Sequence, residues 1–518
     1  MTTLTIAPVL VPLLAGIALL LTRHQVPLWL RRGLNLAAVG VQVAVALALL
    51  TAVGGGDVLT YNLGNWPAPY GIVLVADRLA AWMLLITALL AFFALLYAVQ
   101  GTDRGSRHFH SIYQLQLLGL NGAFLTGDLF NLFVFFEILL LASYGLLVHG
   151  GGARRTRAGL HFVVLNLAGS TLFLFAAGTL YGVLGTLNMA DLAVKLAETT
   201  PENLGMARTA GLLLFAVFAL KAALIPLHLW LPEAYSATSA PVAALFAIMT
   251  KVGAYCLLRV GTLMFGPEAG PVAGLYATWL LPLGLITLLL GALGALSADE
   301  LRRQVGYLVV VSVGLLLTAF GLDSTAGIAA GLYYLVNTTL ATAAFFLLAD
   351  VIACRRGASL DRLTAGPQMR QAGLLGGLFF LAALLMAGLP PLSGFVGKLL
   401  VLQAALDASS WPWVLASVLS SGLLAMIALG RSGSVLFFKT ADALPAEAAP
   451  SAPVVASLGE WQETMRLVAV AGLLALCLGL LAASGPVLGF CTATAEQLLH
   501  PQGYIQAVLS PVTGGVDR

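Results

Sequence analysis

Long apolar runs of nearly constant length alternate with short polar connections from one end of the chain to the other. About fourteen of the runs reach about 20 residues, enough to cross the hydrocarbon core of a bilayer as α-helices. They fall near 4–22, 30–53, 76–98, 111–128, 129–150, 159–184, 209–231, 240–265, 272–297, 303–322, 325–352, 374–404, 411–438 and 465–490. The pattern predicts an all-α polytopic membrane protein of about 14 transmembrane helices. The first run lacks the basic flank and A-x-A-like site of a cleavable signal peptide, so it reads as helix 1. Two longer polar segments stand out. One covers 185–208, and the other, 440–464, rich in Ala, Pro and Glu, reads as a cytoplasmic linker before a last helix.

The basic residues sort by side. Loops after odd-numbered helices hold about sixteen of them, including Arg104, Arg107, Arg154, Arg155, Arg157, Arg302, Arg303, Arg355 and Arg356, whereas loops after even-numbered helices hold only Arg78, Lys195 and Arg208. The positive-inside rule places the odd loops in the cytoplasm and both termini on the outer side. Composition agrees with lipid as the main solvent: 60% of the 518 residues are hydrophobic and 9% are charged, against about 25% in soluble chains. A net charge of +3 without a basic run argues against a nucleic-acid partner. Cys256, Cys354, Cys477 and Cys491 show no CxxC spacing, so no iron–sulfur cluster, zinc site or disulfide framework is expected. G-F-V-G-K-L lacks the spacing and the Ser/Thr of a nucleotide loop, and no cofactor is expected.

Twenty of the cations are Arg and five are Lys, yet three of the lysines, Lys221, Lys251 and Lys398, lie inside apolar runs, as does Glu137. Each such charge costs roughly 3 kcal/mol at a helix centre, so each needs a partner or water. The four either pin helices together or form a row of protonatable groups. Lysine favours the second reading, because burial can bring its proton within reach of exchange and arginine does not deprotonate. Proline interrupts two of these helices, at Pro226 after Lys221 and at Pro390-Pro391 before Lys398. A break of that kind is tolerated where it lines a polar cavity. The two helices are five apart in order and therefore oppositely oriented, the pattern of inverted repeats that each contain a broken helix. His228 follows Lys221 by seven residues and reads either as a relay partner through water or as a hydrogen-bonded core histidine.

The stretches G-D-L-F-N-L-F-V-F-F-E-I-L-L-L-A-S-Y around Glu137, K-A-A-L-I-P-L-H-L-W-L-P-E-A-Y-S-A-T-S-A-P-V-A-A-L over 221–245, I-M-T-K-V-G-A-Y and P-P-L-S-G-F-V-G-K resemble the antiporter-like membrane subunits of respiratory complex I, membrane-bound hydrogenases and Mrp-type cation/proton antiporters. Y-N-L-G-N-W-P-A-P-Y-G-I-V-L-V-A-D over 61–77 looks most like the D-subunit branch of the Mrp antiporters. The resemblance implies fourteen helices with two inverted five-helix repeats. It implies that Glu137 pairs with Lys221 in a first half-channel, that Lys251 is a central relay, that Lys398 is the terminal protonatable residue, and that His228 sits in the broken helix 7. Many relatives carry a His and a Lys on helix 11, where this chain has Asn337 and Thr342, so waters held by Asn337, Thr338, Thr339 and Thr342 would bridge Lys251 to Lys398.

The expected organisation is 1–110 for helices 1–3, 111–265 and 272–438 for the two repeats, 440–464 for the linker, and 465–518 for helix 14 and tail. The leading expectation is a proton-translocating subunit of a multisubunit Na⁺ or K⁺/proton antiporter in a prokaryotic plasma membrane, assembled with other membrane subunits. A redox-driven pumping subunit of a complex I-like oxidoreductase or hydrogenase is the alternative from the enzyme class. A scaffold whose charges only hold helices together is the third.

Overall fold

The computed structural model describes residues 2–22, 25–439 and 459–510, and the apolar runs are helical almost throughout. α1 (Thr2–Leu21) and α2 (Leu28–Val53) lead to an antiparallel hairpin, β1 (Leu59–Asn62) with β2 (Val73–Ala76), before α3 (Arg78–Ala98). The hairpin departs from the all-α expectation. Its strands, L-T-Y-N and V-L-V-A, hold β-branched and aromatic residues, and the Gly- and Pro-rich stretch between them turns the chain. α4 (Phe109–Leu125), α5 (Leu129–Leu147) and α6 (Ala153–Leu184) follow. α6 takes in Arg154, Arg155 and Arg157, which hydropathy leaves in a loop. Arginine is a good helix former, and Gly150, Gly151 and Gly152, all at positive φ, set the start just before them.

The polar segment 185–208 contains a short amphipathic helix, α7 (Met189–Ala197), and the start of α8 (Pro201–Ala222). Asn188 caps α7 by accepting from the N–H groups of Ala190 and Asp191, and Pro201 opens α8 where its missing N–H costs nothing. The expected helix 7 is split into α8 and α9 (Trp230–Ala237), and helix 8 into α10 (Ala240–Phe246) and α11 (Met249–Met264). α12 (Ala277–Ser297), α13 (Leu301–Gly321) and α14 (Thr325–Arg355) are continuous, while the expected helix 12 is split at its prolines into α15 (Ala372–Ala387) and α16 (Ser393–Ala405). α17 (Trp411–Phe438) and α18 (Glu460–Ala482) follow, and 440–458 lies outside the described residues. The run expected as one helix over 465–490 stops at Ala482 and restarts as α19 (Ser484–Leu499), with Pro486 in its first turn, and α20 (Gln502–Leu509) completes the described chain. Among the described residues twelve helical segments are long and apolar enough to cross a membrane, and α15 and α16 are shorter apolar helices.

Connections gather on two faces. On the basic face Arg32 meets Asp103 at 2.6 Å, Arg154 meets Glu300 at 2.5 Å, Arg302 meets Asp361 at 3.1 Å and Arg355 meets Glu463 at 2.9 Å. On the opposite face Arg78 donates to the carbonyls of Gly54 and Ala493, Asp128 bridges to Asn188, and Gln502 donates to Glu268. The loops counted as odd by hydropathy therefore cross-link with one another, and those counted as even do likewise.

Many polar groups between the helices are paired with one another, the arrangement a medium without water favours. Between α2 and α4, Asn121 donates to Gln42 (3.2 Å) and to the Pro8 carbonyl (2.8 Å), Gln42 to Gln114 (3.0 Å), Gln114 to Asn35 (2.6 Å), and Asn35 to His110 Nδ1 (2.7 Å). His110 Nε2 then meets Asp103 at 3.2 Å. All these amides point the same way because an acceptor-only group, the Pro8 carbonyl at one end and the Asp103 carboxylate at the other, closes each end of the column. A second clamp joins α11 to the start of α3. Arg259 binds Asp77 with two bonds of 2.6 and 2.7 Å, and Asp77 also caps α3 by accepting from the Ala80 N–H. The pair is 5% and 1% exposed, and the guanidinium lies over the rings of Tyr255 and Tyr504.

Two outcomes follow from these clamps. Asp77→Leu strands a buried guanidinium and is expected to destabilise the protein by about 3 kcal/mol or more, while Arg259→Met with Asp77→Leu recovers most of the loss, as thermal unfolding of the single and double variants would measure. Asp361, in the loop after α14, is pushed up by burial but brought below its ordinary value by the Arg302 guanidinium and N–H groups. A lowered folded value means that its contribution is complete above the ordinary carboxylate range and is lost as pH falls through the folded value. Stability should therefore drop below about pH 4, and Asp361→Asn should flatten that limb of a stability–pH curve.

Candidate functional site

The two proline breaks decide where the buried lysines sit. In an α-helix each carbonyl accepts from the N–H four residues on, and proline has none. Pro226 thus deprives the Ala222 carbonyl of its donor, and Pro391 does the same to Ala387. α8 ends with Ala223 in the left-handed conformation (φ 59°), and Trp230 Nε1, at the start of α9, donates back to the Leu220 carbonyl at 3.2 Å. At the second break Lys398 Nζ donates to the freed Ala387 carbonyl at 2.6 Å. Gly388, at φ 72°, lets the lysine stem lie across the break, since a Cβ there would meet Lys398 Cδ at 2.6 Å.

Lys221, one residue before the end of α8, donates to Asn166 Oδ1 of α6 at 3.0 Å. Asn166 in turn donates its amide to the Phe162 carbonyl at 2.8 Å, which fixes its oxygen toward the lysine. Glu137 of α5, partly buried, accepts from Ser170 of α6, one helical turn from Asn166. The expected Glu137–Lys221 contact is therefore indirect: among the described residues no ion pair joins the two, and each is held by its own polar residue on α6. Phe136, Phe162, Trp230 and Met249 wall a cavity of about 10 Å³ beside Lys221, close to the space one water needs.

Lys251, in the first turn of α11, is fully buried and lies 3.4 Å from Ser312 Oγ of α13. The α11 backbone reaches the end of α8 at Gly253, where a Cβ would stand 2.3 Å from the Ala222 nitrogen. That glycine lets the two lysine-bearing elements touch backbone to backbone.

His228 occupies the first break, half-buried between the exposed Leu227 and Leu229, and its Nδ1 has no partner among the described residues. The left-handed turn at Ala223 redirects the chain after Lys221, and Trp230 rather than His228 lines the lysine cavity. Between Lys251 and Lys398, Asn337 accepts from Ser393 at 2.8 Å, Thr339 donates to the Leu335 carbonyl at 2.7 Å, and Thr342 meets Met386 Sδ at 3.6 Å. Thr338 and Thr250 keep buried hydroxyls without a hydrogen-bond partner among the described residues, so these two have the freest capacity to bind water.

Comparison with known proteins puts this arrangement in a family. The membrane-region model described as NADH:quinone oxidoreductase/Mrp antiporter matches residues 126–424, which hold Glu137 and all three lysines. The chain belongs to that family. It is 40% identical to the probable K⁺/H⁺ antiporter D subunit of Rhizobium meliloti (strain 1021), over 99% of this chain and 98% of the relative. It is 36% identical to the Na⁺/H⁺ antiporter D subunit of Bacillus subtilis (strain 168), over 98% and 100%. Among solved structures, a chain of the Mrp complex from Dietzia sp. DQ12-45-1b superposes with a TM-score of 0.85 at 28% identity, covering 98% of this chain and all of that one.

Four polar residues near the buried charges were missed by sequence reading: Asn166, Ser170 and Ser312, which meet Lys221, Glu137 and Lys251, and Ser393, which donates to Asn337. Asn166 and Ser170 carried a usable signal, being polar residues four apart on one face of an apolar helix. Arg259 was missed as a fifth intramembrane charge. The close approach at Gly253 yields a direct test. Gly253→Ala is expected to destabilise the protein by about 1–3 kcal/mol through overpacking against rigid backbone, with Gly253→Val worse, read as loss of thermal stability and of assembled protein.

Proposed function

We propose that this chain is the proton-translocating D subunit of a multisubunit Na⁺ or K⁺/proton antiporter, with Glu137, Lys221, Lys251 and Lys398 as its protonatable row and His228 as an accessory group at the first break. The observation that carries the reading is the pairing of the buried lysines. Among the described residues each of the three has only a neutral oxygen within hydrogen-bond reach: an amide for Lys221, a hydroxyl for Lys251 and a backbone carbonyl for Lys398. A lysine held that way can release a proton without leaving an unpaired carboxylate behind in lipid. The curated relatives that match the whole chain are antiporter D subunits, which supports an ion-driven subunit over a redox-driven pump.

In this reading the chain crosses the membrane fourteen times, α8 with α9, α10 with α11 and α15 with α16 each making one crossing. Two inverted repeats cover 111–265 and 272–438, and the broken crossings α8–α9 and α15–α16 occupy equivalent places in them. The basic face is cytoplasmic and both termini lie outside, in a prokaryotic plasma membrane. Protons enter near Glu137, pass Lys221 to Lys251, and reach Lys398 through water held at Thr250 and Thr338. Other membrane subunits complete the antiporter, and the membrane potential drives exchange at about 2.3 kcal/mol per charge per 100 mV.

Glu137→Gln, Lys221→Ala and Lys398→Ala, each in the assembled complex, are expected to reduce cation-dependent proton flux in vesicles on the order of a hundredfold while the subunits still copurify. Unchanged flux in all three refutes the relay. Loss of assembly instead of flux would make the charges structural pins.

A further inference from the structure

The basic face carries a charged site that proton movement does not use. Where the starts of α6 and α13 meet α9 lies a cleft of about 690 Å³ lined by Arg154, Arg157, His161, Glu233, Glu300 and Arg303. Arg154 is taken by Glu300, at 2.5 and 3.1 Å. Arg157 and Arg303 are exposed and make no hydrogen bond or ion pair among the described residues. With the Arg154–Glu300 pair set aside, two guanidiniums and an imidazole face one carboxylate, Glu233, so the cleft has an excess of positive charge.

Its depth follows from helix length. α6 has 32 residues and is about 48 Å long, against a hydrocarbon thickness of about 30 Å, so roughly twelve residues project beyond the core. Its apolar run starts near residue 159, so residues 153–158 project at the basic end, with Arg157 at headgroup level and His161 at the edge of the core. Arg303, in the first turn of α13, lies at the same level. Toward the bilayer the outward face of α6 continues as Leu160, Val164 and Leu167, which are 65%, 56% and 60% exposed and spaced i, i+4, i+7. Unpaired arginines thus stand at the polar end of an uncovered apolar stripe.

We propose that this cleft binds the headgroup of an anionic phospholipid, with its phosphate between Arg157 and Arg303 and an acyl chain along Leu160, Val164 and Leu167. Guanidinium forks match phosphate oxygens, and basic pockets between membrane helices on the cytoplasmic side suit acidic headgroups. A soluble anion would use the arginines and leave the apolar stripe without an occupant. A zwitterionic lipid would bring a cation against the positive excess.

The test uses the intact multisubunit complex in detergent, titrated with phosphatidylglycerol, phosphatidylcholine or inorganic phosphate and read by thermal stability and native mass spectrometry. Phosphatidylglycerol is expected to stay bound and raise Tm, and the other two are not. The double substitution Arg157→Gln with Arg303→Gln should weaken phosphatidylglycerol binding on the order of tenfold or more. Arg104→Gln, at an exposed arginine elsewhere on the same face, should leave it unchanged. If the double variant fails to assemble, Arg157→Lys with Arg303→Lys carries the test, keeping charge without the fork and weakening binding severalfold. Equal uptake of phosphatidylcholine, displacement of the lipid by phosphate, an equal loss in Arg104→Gln, or wild-type binding by the double variant would each overturn the proposal. None of these readouts depends on ion transport, so failure here is distinct from failure of the antiporter reading.

Discussion

A backbone carbonyl that loses its helical donor inside a membrane has to find another, because lipid offers none. Pro226 and Pro391 each create that need, and much of the site is the response to it. At the first break the chain turns at Ala223, and Trp230 donates its indole N–H back to the neighbouring Leu220 carbonyl and walls the Lys221 cavity. At the second, Lys398 itself is the donor to the Ala387 carbonyl. The proline that breaks α15 from α16 therefore also fixes the position of the lysine amine. Moving the lysine would reopen the carbonyl, and repairing the helix would remove the reason for the lysine to be there.

Charge is handled in two ways within the same interior. Arg259, which stays protonated, is held by two bonds to Asp77 and by two aromatic faces. The three buried lysines instead meet neutral oxygens. Taking a fixed charge out of water is tolerable when the counter-charge comes with it, whereas under the proposed relay a lysine that alternates between charged and neutral would strand its counter-charge half of the time. Glu137 fits the second pattern, since it accepts from Ser170 and lies near Lys221 without touching it. Electrostatic coupling at that remove lets each group feel the other's protonation while both remain hydrogen-bonded.

Sequence reading found the apolar helices because apolar run length is set by bilayer thickness, a constraint that leaves a plain mark on the chain, although it did not show where several of the runs break. It also found the lysines, since a charge in lipid is conspicuous. Three kinds of feature escaped it. The β1–β2 hairpin was hidden because two four-residue strands carry too little periodicity to compete with the helices on either side. The Asn35–Gln114–Gln42–Asn121 column was hidden because neutral amides hardly lower hydropathy, and their pairing joins residues more than seventy positions apart. The setting of His228 was hidden because a proline and a single left-handed residue at Ala223 lie between it and Lys221 and redirect the chain.

The gap between Lys251 and Lys398 shows how far such reading extends. The cluster Asn337, Thr338, Thr339 and Thr342 suggested a continuous set of water-binding groups, but three of the four are already bonded within the protein. Asn337 clasps Ser393 at the start of α16 and so helps to hold the second break. What is left unsatisfied is narrower: Thr250, next to Lys251 in sequence, and Thr338, one residue from that clasp. A buried hydroxyl without a partner costs about 1–3 kcal/mol unless water fills the place, which makes the two threonines the points where a transient water file between the lysines is least costly to form.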